Sequence, residues 1–350
     1  MGQISTPYLL ICFAVTLLGI NGLRPIAGRV GLLDFPGGRK IHFSATPLVG
    51  GLGIFAGLLF TSFFLPTMLV EFGSLLTLSA LILFIGTIDD IKDLKPNVRL
   101  IGHSLVALAM AVVAENQISS FGNILYFGSV NMGILAIPVT VFATVGVINA
   151  VNMSDGVDGL SGGFMVITLS CVGIMALAGG NVHIANFIAL LICSLLAFLT
   201  MNFRRPWKRK ALVYLGDAGS TMLGFMLAWI LIQASQGLEP LFAPVYALWF
   251  IAIPLFDTVN LLLKRPLRGK SPFSPGTDHV HHALLSRGFS TGGVVSILLA
   301  LSLLFALVGM LGIYYEASEG FMFQLFLSLF AIYFLTVDNL AAPPRSSGIY

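Results

Sequence analysis

Charge is scarce in this chain of 350 residues: Asp, Glu, Lys and Arg supply 9% of it, against ~25% in an ordinary soluble domain. Hydrophobic residues make up 57% and the mean hydropathy is +0.96, which excludes a water-soluble globular fold. Cysteine is sparse too. Cys12, Cys171 and Cys193 all lie inside apolar stretches without paired spacing, so neither a disulfide framework nor a thiolate metal site follows from them. No Lys or Arg precedes the first apolar core, and the first positive charge, Arg24, comes after it. A cleavable signal peptide has the opposite order, so this segment reads as a true span. No repeat or low-complexity tract divides the chain, which reads as one integral-membrane domain over residues 1–350.

The cations that are present are grouped. Sixteen of the eighteen Lys and Arg fall in four segments, 24–40, 92–99, 204–210 and 264–270. Between these lie apolar runs at roughly 5–23, 48–70, 73–89, 99–115, 132–150, 160–178, 184–202, 214–235, 243–263, 292–314 and 321–337, each near the ~20 residues that cross a bilayer. They predict an all-α polytopic bundle of about eleven transmembrane helices, because runs this long and uniform are not barrel strands. Cytoplasmic loops accumulate Lys and Arg. With the N-terminus outside and an odd number of spans, every basic segment and the C-terminal tail fall on the cytoplasmic side. Glu71, Glu115, Glu239, Glu316 and Glu319 then fall outside. The net charge of +3 gives no support to a nucleic-acid partner, since orientation in the membrane accounts for the cations.

Most remaining acids are Asp at the inner ends of the runs. The third run ends Gly-Thr-Ile-Asp-Asp-Ile-Lys-Asp-Leu-Lys-Pro at 86–96. On a helix Asp89 and Asp93 lie about 40° apart and Asp90 about 100° from Asp89, so the spacing predicts one carboxylate patch. An Asp near the centre of a span costs ~2.5–3.5 kcal/mol; such acids sit at the interface with a task, here oxygen ligation of Mg²⁺ or proton removal, or else a solvated helix end neutralised by Lys92 and Lys95. Residues 149–160 read Asn-Ala-Val-Asn-Met-Ser-Asp-Gly-Val-Asp-Gly-Leu. Asn149 and Asn152 share a helical face, and Gly156 and Gly159 permit a tight turn that carries Asp155 and Asp158. These oxygens suit Mg²⁺ or a planar N–H such as uracil's; the alternative is Asp158 or Ser161 capping the sixth span. The eighth run opens Tyr-Leu-Gly-Asp-Ala-Gly-Ser at 214–220. There Asp217 is either a simple cap or a site residue whose small neighbours admit a second backbone or a phosphate. Asp257 is a lone intramembrane acid that could pair with Lys264.

The last inner loop holds His279, His281 and His282 beside basic residues, suited either to phosphate or sugar oxygens or to a transition metal, with zinc disfavoured by the absence of accompanying Cys; the alternative is a surface loop with incidental His. The first inner loop combines Gly37 and Gly38 with Arg39, Lys40 and His42, either to clamp a phosphate or to anchor on anionic lipid.

In order along the chain, R-K-x-H…P-L-V-G-G, D-D-I-K-D, N-A-V-N-M-S-D-G-V-D-G-L, L-G-D-A-G-S and H-V-H-H resemble the polyprenyl-phosphate N-acetylhexosamine-1-phosphate transferase family. The long Gly-Lys-Ser-Pro-Phe-Ser-Pro segment and the eleventh run look most like the bacterial branch that transfers GlcNAc-1-phosphate to undecaprenyl phosphate. The resemblance implies the first membrane step of cell-envelope polysaccharide synthesis, of O-antigen, common-antigen or teichoic-acid type, at the inner (cytoplasmic) membrane. It implies Mg²⁺, with Mn²⁺ as the alternative, held by Asn152 and Asp217 against the UDP-sugar diphosphate. Asp89 and Asp90 would lie by the lipid phosphate, one of them deprotonating or orienting it. Lys40, His42, Arg99, Asp155, Asp158, His279, His281 and His282 would contact substrate, with Asp158 on uracil and the three His on the diphosphate and sugar. The acidic Thr277-Asp278 pair before the His cluster leaves the amino sugar open, and a homodimer is also left open.

Four other readings share parts of this pattern. A phospho-MurNAc-pentapeptide transferase has the same chemistry with ten spans. An intramembrane Mg²⁺-dependent prenyltransferase has two Asp-rich motifs but no need of the His loop. An intramembrane aspartyl protease requires G-x-G-D, and position 214 is Tyr. An ion-coupled transporter places its acids near the bilayer midplane, whereas these cluster at one face.

Overall fold

The computed structural model describes residues 4–35, 45–204, 210–271, 276 and 278–341; Lys40 and His42 lie outside the described residues. A bilayer offers no partner to an exposed backbone N–H or C=O, so apolar runs of this length form helices. In chain order these are α1 (Thr6–Val30), α2 (Gly50–Phe63), α3 (Pro66–Lys92), α4 (Pro96–Val112), α5 (Ala136–Met153), α6 (Leu160–Ala178), α7 (Val182–Asn202), α8 (Gly216–Ser235), α9 (Pro244–Phe250), α10 (Ala252–Leu267), α11 (Val280–Ser286), α12 (Thr291–Tyr314) and α13 (Glu319–Ala341). Among the described residues the only sheet is an antiparallel ladder of two short strands, β1 (Leu33–Asp34) and β2 (Thr46–Pro47). The protein is thus an all-α, multi-pass membrane protein. Among the described residues eight helices are long and apolar enough to span, and α9 with α10 makes a ninth if the pair is one broken span, against the eleven or so expected. The other two apolar helices, α2 and α4, have 14 and 17 residues and at 1.5 Å per residue fall short of the ~30 Å hydrocarbon core.

Every expected run acquires a helix, with two differences. The sequence divides the second and third runs near residues 70–73, but the chain turns at Phe64 and Leu65. Pro66 opens α3 at its first turn, where a missing N–H leaves no bond unmade. Glu71 therefore rides inside α3 rather than in a loop, and its Oε2 lies 2.7 Å from His183 Nδ1 at the start of α7. The ninth run is bent by 88° between α9 and α10. Pro254 has no N–H to offer the carbonyl of Phe250 four residues earlier; that carbonyl accepts instead from Thr168 Oγ1 of α6 at 2.6 Å.

A helix that is apolar on every side belongs in the core, and α8 is that helix, buried along nearly its whole length. It packs on α3, α5 and α2. Small residues bring these backbones together: a methyl added at Gly51 would stand 2.2 Å from Gly219 Cα, and one at Gly86 would stand 2.5 Å from Ala218 Cα. The small residues of 216–220 thus admit neighbouring backbones. A second apolar cluster, including Leu160, Val280, Leu284, Val294 and Leu298, seats α11 against α6 and α12. That helix forms within what the sequence presents as a long loop, and it fixes the histidines.

Candidate active site

Asp89 and Asp90 diverge because successive helical residues are about 100° apart. Asp89 turns toward α4: its Oδ2 accepts from Arg99 Nη1 at 2.8 Å and its Oδ1 from the Leu94 N–H at 2.8 Å. Asp90 turns toward α8, where its Oδ1 accepts from the Asp217 N–H at 2.8 Å and its Oδ2 from the Ala218 N–H at 3.1 Å. Those are first-turn donors that a helix leaves unpaired, so Asp90 caps α8 from another helix, and its charge complements the positive end of the dipole. Gly216 admits it: φ is +77°, and a Cβ there would lie 2.6 Å from Asp90 Oδ2. Asp93 does not join the patch. Leu94 gives its N–H to the Asp89 side chain, ending the helix, and Asp93 sits at φ 50° as an exposed C-cap.

Asp217 stands in the first turn of α8. Its Oδ1 accepts from Asn152 Nδ2 at 2.7 Å, and its Oδ2 is 3.6 Å from Arg99 Nη1. Asn152 Nδ2 also donates to Ser220 Oγ at 2.8 Å. Arg99 therefore bridges two carboxylates, and only one is accessible: the Asp217 side chain is 38% exposed and that of Asp89 2%. Among the described residues no three His, Cys, Asp or Glu side chains converge to hold a metal by themselves. An open Asp217 carboxylate beside the Asn152 amide is nevertheless an oxygen donor set that fits Mg²⁺, a cation that keeps several waters and takes one or two protein ligands plus substrate phosphates.

The α5–α6 turn lies beside this cluster. Asn202 Oδ1 accepts the Gly159 N–H at 2.6 Å while its Nδ2 donates to the Val213 carbonyl at 3.0 Å, tying the turn to α7 and to the approach to α8. Neither Asp158 nor Ser161 caps α6, whose N-cap is Gly159; Asp158 pairs instead with Arg204 Nε. Burial, then the negative charges of Asp217, Asp158 and Asp90, hold the Asp155 carboxyl well above the usual carboxylate range and favour its neutral form.

The three histidines stand as one aromatic group. His279 and His281 stack with centroids 5.3 Å apart and planes 11° apart, and His281 and His282 are 4.3 Å apart. His281 Nε2 lies where a Gly156 Cβ would come within 2.4 Å, and this buried nitrogen has no hydrogen-bond partner. The His cluster and the 149–160 turn, 125 residues apart in sequence at Gly156 and His281, are thereby in contact. Burial, with His282 and His279 adding repulsion, pushes the His281 imidazole down to about 3, so it is neutral at physiological pH. His282 is lowered by burial and by His279. Asp257 does not pair with Lys264: its Oδ2 lies 2.8 Å from His279 Nδ1 and its Oδ1 accepts the Val280 N–H at 3.0 Å, while Lys264 pairs with Asp338 at 3.0 Å. The acidic Asp278 is neutralised in place by Arg265, whose Nη2 and Nε donate at 2.7 and 3.1 Å.

The structure therefore gathers Asp89, Asp90, Arg99, Asn152, Asp155, Asp158, Asp217, His279, His281 and His282 at one end of the bundle, in two contiguous groups. In the sequence Asn202 belongs to none of the motifs, and Arg204 reads only as a topological charge. An amide at the last position of an apolar run was the available signal for Asn202.

A helical membrane bundle with acids, amides, an arginine and neutral imidazoles converging at one end is a membrane-embedded enzyme for charged substrates. The family model described as glycosyl transferase family 4 matches residues 72–235, which run from α3 to the end of α8. The undecaprenyl-phosphate alpha-N-acetylglucosaminyl 1-phosphate transferase of Yersinia pestis is 34% identical over 326 residues, covering 93% of this chain and 89% of the relative. Its counterpart in Escherichia coli K12 is 35% identical over 328 residues with the same coverage, and that of Haemophilus influenzae 35% over 330, covering 94% and 93%. The chain belongs to glycosyl transferase family 4.

Proposed function

We propose that the protein transfers GlcNAc-1-phosphate from UDP-GlcNAc to undecaprenyl phosphate and releases UMP. The observation that carries this reading is the Asp217 carboxylate, open on one side, with Arg99 and Asn152 on it and its own N–H held by Asp90. A lipid phosphate oxygen attacks the β-phosphorus, the one that bears the sugar, while the bond to the bridging oxygen breaks and UMP leaves with that oxygen. Two anions must meet for this, so fixed positive charge at the meeting point is the main requirement. Arg99 supplies part of it, held in place by Asp89. A bound Mg²⁺, or Mn²⁺, held by Asp217 and the Asn152 carbonyl oxygen, would supply charge neutralisation at the diphosphate.

Asp89 is buried and committed to Arg99 and the Leu94 N–H, which suits it to orienting. Asp90 is part-exposed and is the better placed of the two to take a proton from the lipid phosphate, using the acceptor positions left by the two backbone N–H groups. Neutral Asp155 can donate to a substrate carbonyl, and Asp158, once exchanged from Arg204, can accept from a uracil N–H. Neutral His281 and the His279 and His282 rings line the sugar and diphosphate side. Arg99, Arg204 and Arg265 stand at this end, and the tendency of Lys and Arg to collect on the cytoplasmic side supports a site on the cytoplasmic face of the inner membrane. Relatives named for GlcNAc-1-phosphate transfer favour this reading over phospho-MurNAc-pentapeptide or prenyl transfer.

The test is UMP release by the purified protein with Mg²⁺, undecaprenyl phosphate and UDP-GlcNAc, with UDP-GalNAc and UDP-MurNAc-pentapeptide in parallel. Release that requires lipid and metal and prefers UDP-GlcNAc is expected. Release with the pentapeptide donor alone, or from no donor by folded protein, would overturn the reading.

A further inference from the structure

We infer that Tyr333, in the last helix, is a positioning residue for the His279 imidazole, acting through Asp257; this rests on the reading above that the His cluster belongs to the transfer site. Asp257 is a buried carboxylate in α10 with a partner for each oxygen. Its Oδ1 accepts both the Val280 N–H and the Tyr333 O–H, each at 3.0 Å. Two donors on that oxygen stabilise the ionised carboxylate, and the proposed arrangement accordingly puts the proton shared with His279 at 2.8 Å on Nδ1. A carboxylate on Nδ1–H fixes both tautomer and ring orientation. It leaves Nε2 as the free nitrogen of a ring that stacks on His281, itself against Gly156.

Without the hydroxyl, Oδ1 would keep one donor and the carboxylate could rotate about its Cβ–Cγ bond, carrying His279 with it. The Tyr333 ring is held independently by Phe256, 5.7 Å away centroid to centroid, so Tyr333→Phe removes the hydrogen bond and leaves the packing. A separate tie joins the same two helices two turns along α10. Lys264 donates to the Phe334 carbonyl and pairs with Asp338 at 3.0 Å, and Arg268 reaches the same carboxylate at 2.9 Å. Helix fastening and histidine positioning are therefore separable by mutation.

The experiment compares Tyr333→Phe, Asp338→Asn, His279→Gln and the Tyr333→Phe/His279→Gln double variant. Loss of an outer-shell partner typically costs about 10–100-fold in activity, so Tyr333→Phe is expected to lower kcat by that factor with KM for UDP-GlcNAc within about twofold. Asp338→Asn is expected to keep wild-type kcat, and Tyr333→Phe to add no loss on top of His279→Gln. Nitrogen-15 NMR of the His279 ring reads the same positioning without turnover: a single Nδ1–H tautomer in the wild type and a mixture in Tyr333→Phe. Wild-type kcat in folded Tyr333→Phe, an equal loss in Asp338→Asn, or multiplying losses in the double variant would overturn the assignment, as would an unchanged tautomer. A wild-type protein that releases no UMP yet shows the tautomer shift would count against the transfer reading and leave the positioning intact.

Discussion

Gly86→Ala tests whether the site depends on two helix backbones in contact. The added methyl would lie 2.5 Å from Ala218 Cα, 2.7 Å from Ala218 N and 2.9 Å from the Asp217 carbonyl carbon. All three are backbone atoms, so no side chain can swing aside. Carbon atoms rest at about 3.5–4.0 Å, so α3 and α8 must part locally by about 1 Å. That movement stretches both hydrogen bonds from α8 to Asp90 and shifts Asp217 relative to Asn152 and Arg99. Overpacking of this kind costs about 1–3 kcal/mol, and a misplacement of about 1 Å at a reacting group costs about 100-fold in rate. Gly73→Ala is the control on the same helix, since nothing lies within 4 Å of a methyl there and alanine in a helix interior is favoured by about 0.5–1 kcal/mol. UMP release and thermal unfolding in detergent are measured on both. A Gly86→Ala protein with wild-type turnover would show that the α3–α8 contact does not set Asp217, and the site geometry would need another explanation.

Asp217→Asn is expected to abolish metal-dependent turnover with the unfolding midpoint retained; surviving Mg²⁺-dependent UMP release would remove Asp217 from the metal role. Arg99→Leu leaves the buried Asp89 carboxylate unpaired and should cost about 3 kcal/mol. Adding Asp89→Leu should recover part of that in denaturation, and a double variant less stable than Arg99→Leu would argue against the pair. Asp278 is held down at about 2, foremost by Arg265, below the ~3.9 of a free Asp. The pair's stabilisation is therefore full above pH ~4 and lost as pH falls toward about 2. Thermal midpoints of wild type and Asp278→Asn should differ at pH 7 and converge below pH 4; a gap that widens on acidification contradicts the pairing.

Composition and spacing alone declare the solvent, the element type and the residues of interest. Apolar runs near twenty residues admit only helices in a bilayer, and the clustered cations predict an orientation for them. Acids and amides at the run ends stood out because burying them in hydrocarbon is costly without a purpose. The partners of those residues were decided by tertiary structure. Spacing along one helix placed Asp89, Asp90 and Asp93 together, yet Asp89 met Arg99, Asp90 met the start of α8, and Asp93 left the helix, because the donors came from other helices. Asp257 was visible as a lone acid, but its pairing with His279 and Tyr333 rather than Lys264 required α11 and α13 to pack beside α10. The break before Pro254 was equally unreadable until Thr168, eighty-two residues away from Phe250 in the chain, supplied the freed carbonyl with a donor. Local pattern fixes what a residue must avoid, which is unpaired charge in lipid; only the packing of distant helices decides which group satisfies it.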